Sequence, residues 1–380
     1  MKLSGSRLFV VLVLVAIATA CAAPAATPVP AAAPTAAPTA VPTATPRPAG
    51  FSVTDALGRT VTFDKAPQRI AVVGRAVIML ADAVYLFPNV SPRIVSLSKA
   101  NQGLGDFISV FDPSFRDKTI LEVEVSVEQV VATRPDAVIL KTMMADKLGK
   151  PLDGLGLKVI YLDLETPDQF KRDVATLGQF FQDEARARQV IAFYQERTDR
   201  ISKAVADMKE EQKPRVLLLY YNDRDGQVAF NVAPMSYIQT LMVQTAGGRV
   251  AWKEAQLGQG WTKINLEQIA AWDADQIYIV AYTKSAGDVV KQLKADAQWL
   301  ALRATKQNKL YAFPADYYSW DQADTRWILG LTWLATKMNP DRFPGFDMEK
   351  EIRTFYSELY KLDDASYQKN IQPVLKGDLN

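Results

Sequence analysis

The chain runs to 380 residues, 48% hydrophobic and 23% charged, which is enough apolar material for a large core and for two folded units rather than one. Lys and Arg total 44 against 42 for Asp and Glu, and setting aside the first twenty positions, which hold Lys2 and Arg7 but no acid, balances the charges, so the folded part carries no electrostatic footprint for nucleic acid. Histidine is absent and Cys21 is the only cysteine, which excludes the commonest metal ligand, the usual general base, an internal disulfide and a thiol nucleophile in the folded region.

Lys2 and Arg7 precede an apolar run from Leu8 to Ala20, too short for a comfortable membrane span but the right length for a signal-peptide core. Residues 1–20 are therefore predicted to be a cleaved signal peptide. Ala18-Thr19-Ala20-Cys21 resembles a bacterial lipobox, in which Cys21 takes a diacylglycerol and becomes the new N-terminus. Ala18 stands where such motifs usually carry Leu, and ordinary secretory cleavage is the alternative. Residues 21–50 hold this anchor and a linker: Ala22 to Ala49 is almost entirely Ala, Pro, Thr and Val, a disordered composition that favours a polyproline II spacer of about 3.1 Å per residue.

Residues 51–167 read as a first α/β lobe. Phe51 to Phe63 alternates around Leu57-Gly58 as a β-hairpin, and Arg69 to Gly74 is a buried strand ending in a turn. A helix is predicted over Ala76 to Phe87, then strands at Arg93 to Leu97, Ala137 to Leu140 and Lys158 to Leu162, separated by helical patterns, which is the doubly wound arrangement. Residues 168–212 are long, charged and helical in period, without Gly after Gly178 or Pro before Pro214. A single helix there would span ~60 Å at 1.5 Å per residue and restrain closure between lobes; two helices broken near Gln182-Asp183 are the other reading. Residues 213–380 repeat the scheme, with strands at Arg215 to Tyr221, Gln276 to Val280 and Lys309 to Phe313 and helices at Met235 to Ala246, Leu266 to Trp272 and Ala323 to Lys337.

The two halves share a segment. Glu128-Gln-Val-Val-Ala-Thr-Arg-Pro-Asp136-Ala-Val-Ile139 aligns without gaps to Glu267-Gln-Ile-Ala-Ala-Trp-Asp-Ala-Asp275-Gln-Ile-Tyr278. In each, Glu sits near a helix N-terminus, where the macrodipole favours a carboxylate, and Asp closes the helix before a core strand. With Thr54-Asp-Ala-Leu-Gly-Arg-Thr-Val61, Pro67-Gln-Arg-Ile70 and Leu302-Arg-Ala-Thr-Lys-Gln-Asn-Lys-Leu-Tyr311, these segments resemble the iron-siderophore and vitamin B12 class of periplasmic-binding proteins from about Phe51 onward. The resemblance implies an α/β fold of two Rossmann-like lobes joined by a single long helix, in the solute-binding subunit of an ABC importer. It also implies that Glu128 and Glu267 dock onto arginines of the dimeric membrane permease; helix capping alone is the bland reading of the same residues.

Ligand belongs in the crevice between lobes, at the carboxyl ends of the strands. Loops there offer Arg75, Lys99 and Lys141 on the first lobe, and Tyr220, Tyr221, Asn222, Trp261, Tyr317, Tyr318 and Trp320 on the second. Cations opposite aromatic faces suit an anionic chelate with a broad apolar surface, although Glu122 and Glu124 at the rim would weaken that preference. Core burial of Tyr220 and Trp320, with solvated lysines, is the plain alternative. The expected ligand is a ferric siderophore, then cobalamin, then heme or an oxyanion such as molybdate; bare zinc or manganese is not expected, because the resemblance implies that receptors for bare metals rely on histidines, which this chain lacks. No cofactor, nucleic-acid partner or oligomer is expected, and the location is extracytoplasmic. An extracellular α/β hydrolase is the competing class, but no Gly-x-Ser-x-Gly elbow, phosphate-binding loop or histidine is available to it. A sensory or adhesive lipoprotein with the same fold is the third.

Overall fold

The computed structural model describes residues 50–100, 102–103, 105–223 and 226–379. The predicted signal peptide, Cys21 and the Ala/Pro/Thr linker lie outside them. The chain opens on the expected hairpin, β1 (Phe51–Thr54) and β2 (Thr60–Phe63), with Phe51 opposite Phe63. Its turn forms because Asp55 Oδ1 accepts the amides of Leu57 and Arg59 at 3.0 and 3.1 Å, a side-chain-to-backbone device that substitutes for ladder bonds.

The first lobe follows: β3 (Ile70–Val72), α1 (Val77–Val84), β4 (Ile94–Ser98), α2 (Ile108–Phe111), β5 (Thr119–Leu121), α3 (Val127–Ala132), β6 (Ala137–Lys141), α4 (Lys150–Gly154) and β7 (Lys158–Leu162). Its five strands are all parallel in the order β5-β4-β3-β6-β7. Strand alternation divides its apolar residues between two faces. Ile70, Val72, Ala137, Ile139, Ile160 and Leu162 join the main core, whereas Ala71, Val73, Val138, Leu140, Val159 and Tyr161 pack a smaller one under Val130, Leu148 and Leu152.

The connector differs from a single helix. It consists of α5 (Pro167–Phe181) and α6 (Glu184–Val205), broken where Gln182 adopts φ 58° and the Asp183 side chain caps α6 by accepting the Arg186 amide. The break at Gln182-Asp183 lets α5 fold back onto the first lobe, with Phe180 packed edge-on against Phe63 at 5.5 Å. At Gly178 an added Cβ would lie 2.5 Å from the Ala187 Cβ, so the missing side chain sets the close approach of the two helices. The strut is thus α6 alone, 22 residues or ~33 Å. At its start Arg186 donates to the Leu86 carbonyl of the first lobe at 2.8 Å and to the Leu359 carbonyl of the second at 2.6 Å, and at mid-helix Tyr194 donates to the Thr325 carbonyl of the second lobe.

The second lobe contains β8 (Arg215–Asn222), β9 (Ala229–Val232), α7 (Ile238–Thr245), β10 (Arg249–Val250), β11 (Thr262–Ile264), α8 (Leu266–Trp272), β12 (Gln276–Ala281), α9 (Ala286–Leu293), α10 (Ala297–Leu300), α11 (Arg303–Lys306), β13 (Leu310–Ala312), α12 (Trp327–Met338), α13 (Met348–Tyr360) and α14 (Asp364–Asn370). Its sheet runs β11-β9-β8-β12-β13, with β10 beside the start of β8; β9 is antiparallel to both of its neighbours, β8 and β11, and the remaining pairs are parallel. The internal repeat extends to hydrogen bonds. The Asp136 carboxylate accepts the Arg69 amide at 2.9 Å and Asp136 N–H returns to the Arg69 carbonyl at 2.8 Å; Asp275 makes the same pair with Arg215 at 2.6 and 2.7 Å. Each aspartate therefore ties the strand it precedes to the first strand of its lobe.

Candidate functional site

A cavity of about 540 Å³ opens at the carboxyl ends of β3, β4 and β5, lined among others by Ile78, Ala81 and Asp82 of α1, Ser98 at the end of β4 with Lys99 and Ala100 after it, and Gln102, Gly103 and Asp106 in the next loop. Thr283 and Tyr318 close it from the second lobe. The loop carrying Gly103 crosses between lobes: its amide donates to the Tyr282 carbonyl at 2.9 Å, and Gln102 hydrogen-bonds Gln322.

Of the ten ligand residues expected from the sequence, Lys99 and Tyr318 line this cavity. Their neighbours in the chain do not follow, for separate physical reasons. Arg75 pairs with Glu124, which also takes Lys147 at 2.6 Å, and Lys99 itself pairs with Glu122 at 2.5 Å. The two rim glutamates thus neutralise the cations they flank; hydrogen bonds from Lys147 and Arg75 hold the Glu124 carboxyl below its usual range. Lys141 is not a loop cation at all. Its side chain is buried, with the ammonium donating to the Asp163 carbonyl and paired with Glu165 at 2.5 Å.

On the second lobe, Tyr220 is buried and stacked on Tyr282 at 4.4 Å, with half-buried Trp261 tilted against it at 5.1 Å. Tyr221 is also buried, edge-on to Phe230 with the Lys284 ammonium 5.3 Å from its ring, and Asn222 ends β8 half-buried. Tyr317 donates to the Asn370 carbonyl at 2.9 Å and packs on Phe107 rather than on the cavity. Trp320 is fully buried, its indole donating to Asp316 at 3.0 Å, so it is a core residue.

The group missed in the sequence is an ionic cluster behind the cavity. Arg326, fully buried, pairs with Asp82 of α1 at 2.5 Å, with Asp316 at 2.7 Å and with Asp324 at 3.3 Å, over the Phe107 ring at 4.0 Å. It joins the lobes. One guanidinium among three carboxylates leaves negative charge in a dry site, and burial lifts Asp82 to about 6 against the pull of Arg326 and pushes Asp324 well up. A lone acid within the otherwise apolar Val77–Val84 helix was the available signal. No group of three or more His, Cys, Asp or Glu among the described residues is placed to hold a metal ion.

Glu128 and Glu267 occupy matching places, each the second residue of its helix and exposed. Ser126 caps α3 by accepting the Gln129 amide and Asn265 caps α8 by accepting the Gln268 amide, while hydrogen bonds from its own backbone N–H and from the Ser126 side chain hold the Glu128 carboxyl below its usual range.

The periplasmic binding protein family matches residues 121–317. The chain belongs to that family. As a periplasmic binding protein it is the substrate-binding component of an ABC importer, extracytoplasmic, working with a permease on a small ligand, and it is not an enzyme. It is similar to the molybdate-binding protein MolA of Haemophilus influenzae, 23% identical over 332 residues, which cover 81% of this chain and 90% of that one. The iron-uptake system-binding protein of Bacillus subtilis is 21% identical over 235 residues, 60% of this chain and 71% of that one. Among solved structures, the TroA-like periplasmic binding protein FepB from Veillonella parvula superposes with a TM-score of 0.67 at 19% identity, covering 81% of this chain and 96% of that one. This likeness carries the two-lobed α/β fold.

Proposed function

We propose that this periplasmic binding protein captures an iron-siderophore-type metal chelate in the cavity between its lobes, with Lys99 and Tyr318 among the contacts. The volume carries the reading: about 540 Å³ falls in the range of pockets that enclose organic ligands, roughly 300–1,000 Å³, and is large for a bare oxyanion. Metal would arrive already chelated, consistent with a chain that has no histidine. Cys21 anchors the protein through its linker, and the monomer docks on the permease through Glu128 and Glu267, whose exposed carboxylates on equivalent helices suit a reversible, orientation-fixing contact.

Molybdate is the second reading, because the Haemophilus relative is named for it. Titration calorimetry with ferric trihydroxamates, ferric tricatecholates, cobalamin, heme and molybdate separates these; heat from molybdate alone would sink the chelate reading. Replacing Glu128 and Glu267 together by Ala should abolish uptake of the bound ligand in cells while leaving affinity in solution unchanged. Undiminished uptake would remove the docking role.

A further inference from the structure

The charged groups on the cavity wall are Lys99, Asp82 and Asp106. Lys99 is already neutralised by Glu122. The carboxylates are not matched in the same way. Asp82 shares Arg326 with Asp316 and Asp324, and its second oxygen, Oδ1, has no hydrogen-bond partner although the residue is fully buried. Asp106 accepts only main-chain N–H groups, from Ile108 and Ser109, and has no ammonium or guanidinium partner among the described residues. A buried carboxylate oxygen without a donor, as at Asp82 Oδ1, is costly, and an ionised acid there attracts a cation far more than it would in water; Asp106, exposed at the rim, adds charge of the same sign.

We propose that the ligand carries a protonated amine or similar cationic N–H donor, received by Asp82 with Asp106 beside it. The inference rests on the chelate reading and narrows it, reversing the anionic preference expected from the loop cations. Arg326 positions Asp82 by holding Oδ2, and Oδ1 is the buried oxygen left without a donor in the cavity wall. A residue serving only to latch the lobes would, when replaced, weaken every ligand alike, whereas a ligand-reading carboxylate distinguishes charge.

The test uses calorimetry on the intact chain with four probes: ferrioxamine B, a ferric trihydroxamate with a pendant ammonium; its N-acetyl derivative, which lacks that charge; a trianionic ferric tricatecholate; and molybdate. The wild type should bind ferrioxamine B at least about tenfold tighter than the acetylated form, as expected for one charge-assisted hydrogen bond. Asp82→Asn and Asp106→Asn should each bring that ratio toward one with little change for the acetylated probe. Asp106 is exposed, so its variant decides the matter if Asp82→Asn does not fold. Equal affinity for the two trihydroxamates, an unchanged ratio in Asp106→Asn, or preference for the trianion overturns the inference and leaves the chelate reading standing. Binding of molybdate alone, or of none of the probes, removes the chelate reading and this inference with it.

Discussion

At the scale of single residues, the loop between lobes depends on Gly103. It has φ +96°, and a Cβ there would lie 2.4 Å from the Tyr318 ring and 2.6 Å from the Tyr317 carbonyl. The carbonyl cannot swing aside as the end of a side chain can, so Gly103→Ala combines left-handed backbone strain with a clash at the cavity wall. Gly58 isolates the first effect, since it has φ +73° and nothing within 4 Å of its Cβ position. Gly58→Ala should cost about 1 kcal/mol, and Gly103→Ala more, by about 1–3 kcal/mol of overpacking. Urea unfolding of the two variants checks this; equal losses would mean that Tyr317 and Tyr318 move freely. The same scale explains why individual ligand residues were poorly legible. The residues at the strand ends can be named from the sequence, but whether Arg75 or Lys141 is available is decided by Glu124 and Glu165, partners contributed by other loops. Asp82 was legible in principle, as the one charge in an apolar helix, and its meaning came only from Arg326 some 240 positions later.

At the scale of elements, the joint between α5 and α6 is made by two residues with no glycine between them. Asp183→Ala removes the side-chain acceptor that caps α6 at the Arg186 amide, 3.0 Å away, and should cost about 1 kcal/mol. Gln182→Gly should act oppositely, relieving the φ 58° conformation by a few tenths to about 1 kcal/mol. Thermal melts of the pair test the joint, and a stabilised Asp183→Ala would argue that the two helices merge. Periodicity could not separate one helix from two here, because the charged pattern continues through Gln182-Asp183 and a left-handed glutamine leaves no mark in composition. Strands β6, β7 and β12 were readable as continuous apolar runs because both faces of each are covered. By contrast β9 and β11 are short, partly exposed and antiparallel, and the α/β alternation pattern gave no reason to expect them.

At the scale of the whole molecule, the lobes share one core and one strut. The main apolar cluster runs from Val53 through α6 to Ile371, and Arg186 at the start of α6 donates to the Leu359 carbonyl at the end of α13 as well as to Leu86. Ligand entry is therefore expected to move loops such as that of Gly103 more than whole lobes. The buried acids of this interior make stability depend on pH with a definite sign. Burial raises Asp82 to about 6 and also raises Asp173, Asp321 and Asp324. Groups facing Asp82 are Arg326, Asp316, Asp324 and Asp106, with the Tyr318, Tyr360 and Tyr194 hydroxyls. In the unfolded chain an aspartate titrates near about 3.9, so between about 4 and 6 the folded protein holds the extra proton, and stability falls as pH rises through that window. The penalty of the ionised acid is fully present above about 6. Below about 4 the balance reverses, because Asp112 and Asp275, held low by hydrogen bonds despite their burial, lose their stabilising contribution on protonation. The urea midpoint should accordingly be higher at pH 5 than at pH 8. Asp82→Asn, which cannot ionise, should narrow that difference. An equal or higher midpoint at pH 8 would show that Arg326 compensates the three carboxylates fully in the folded state.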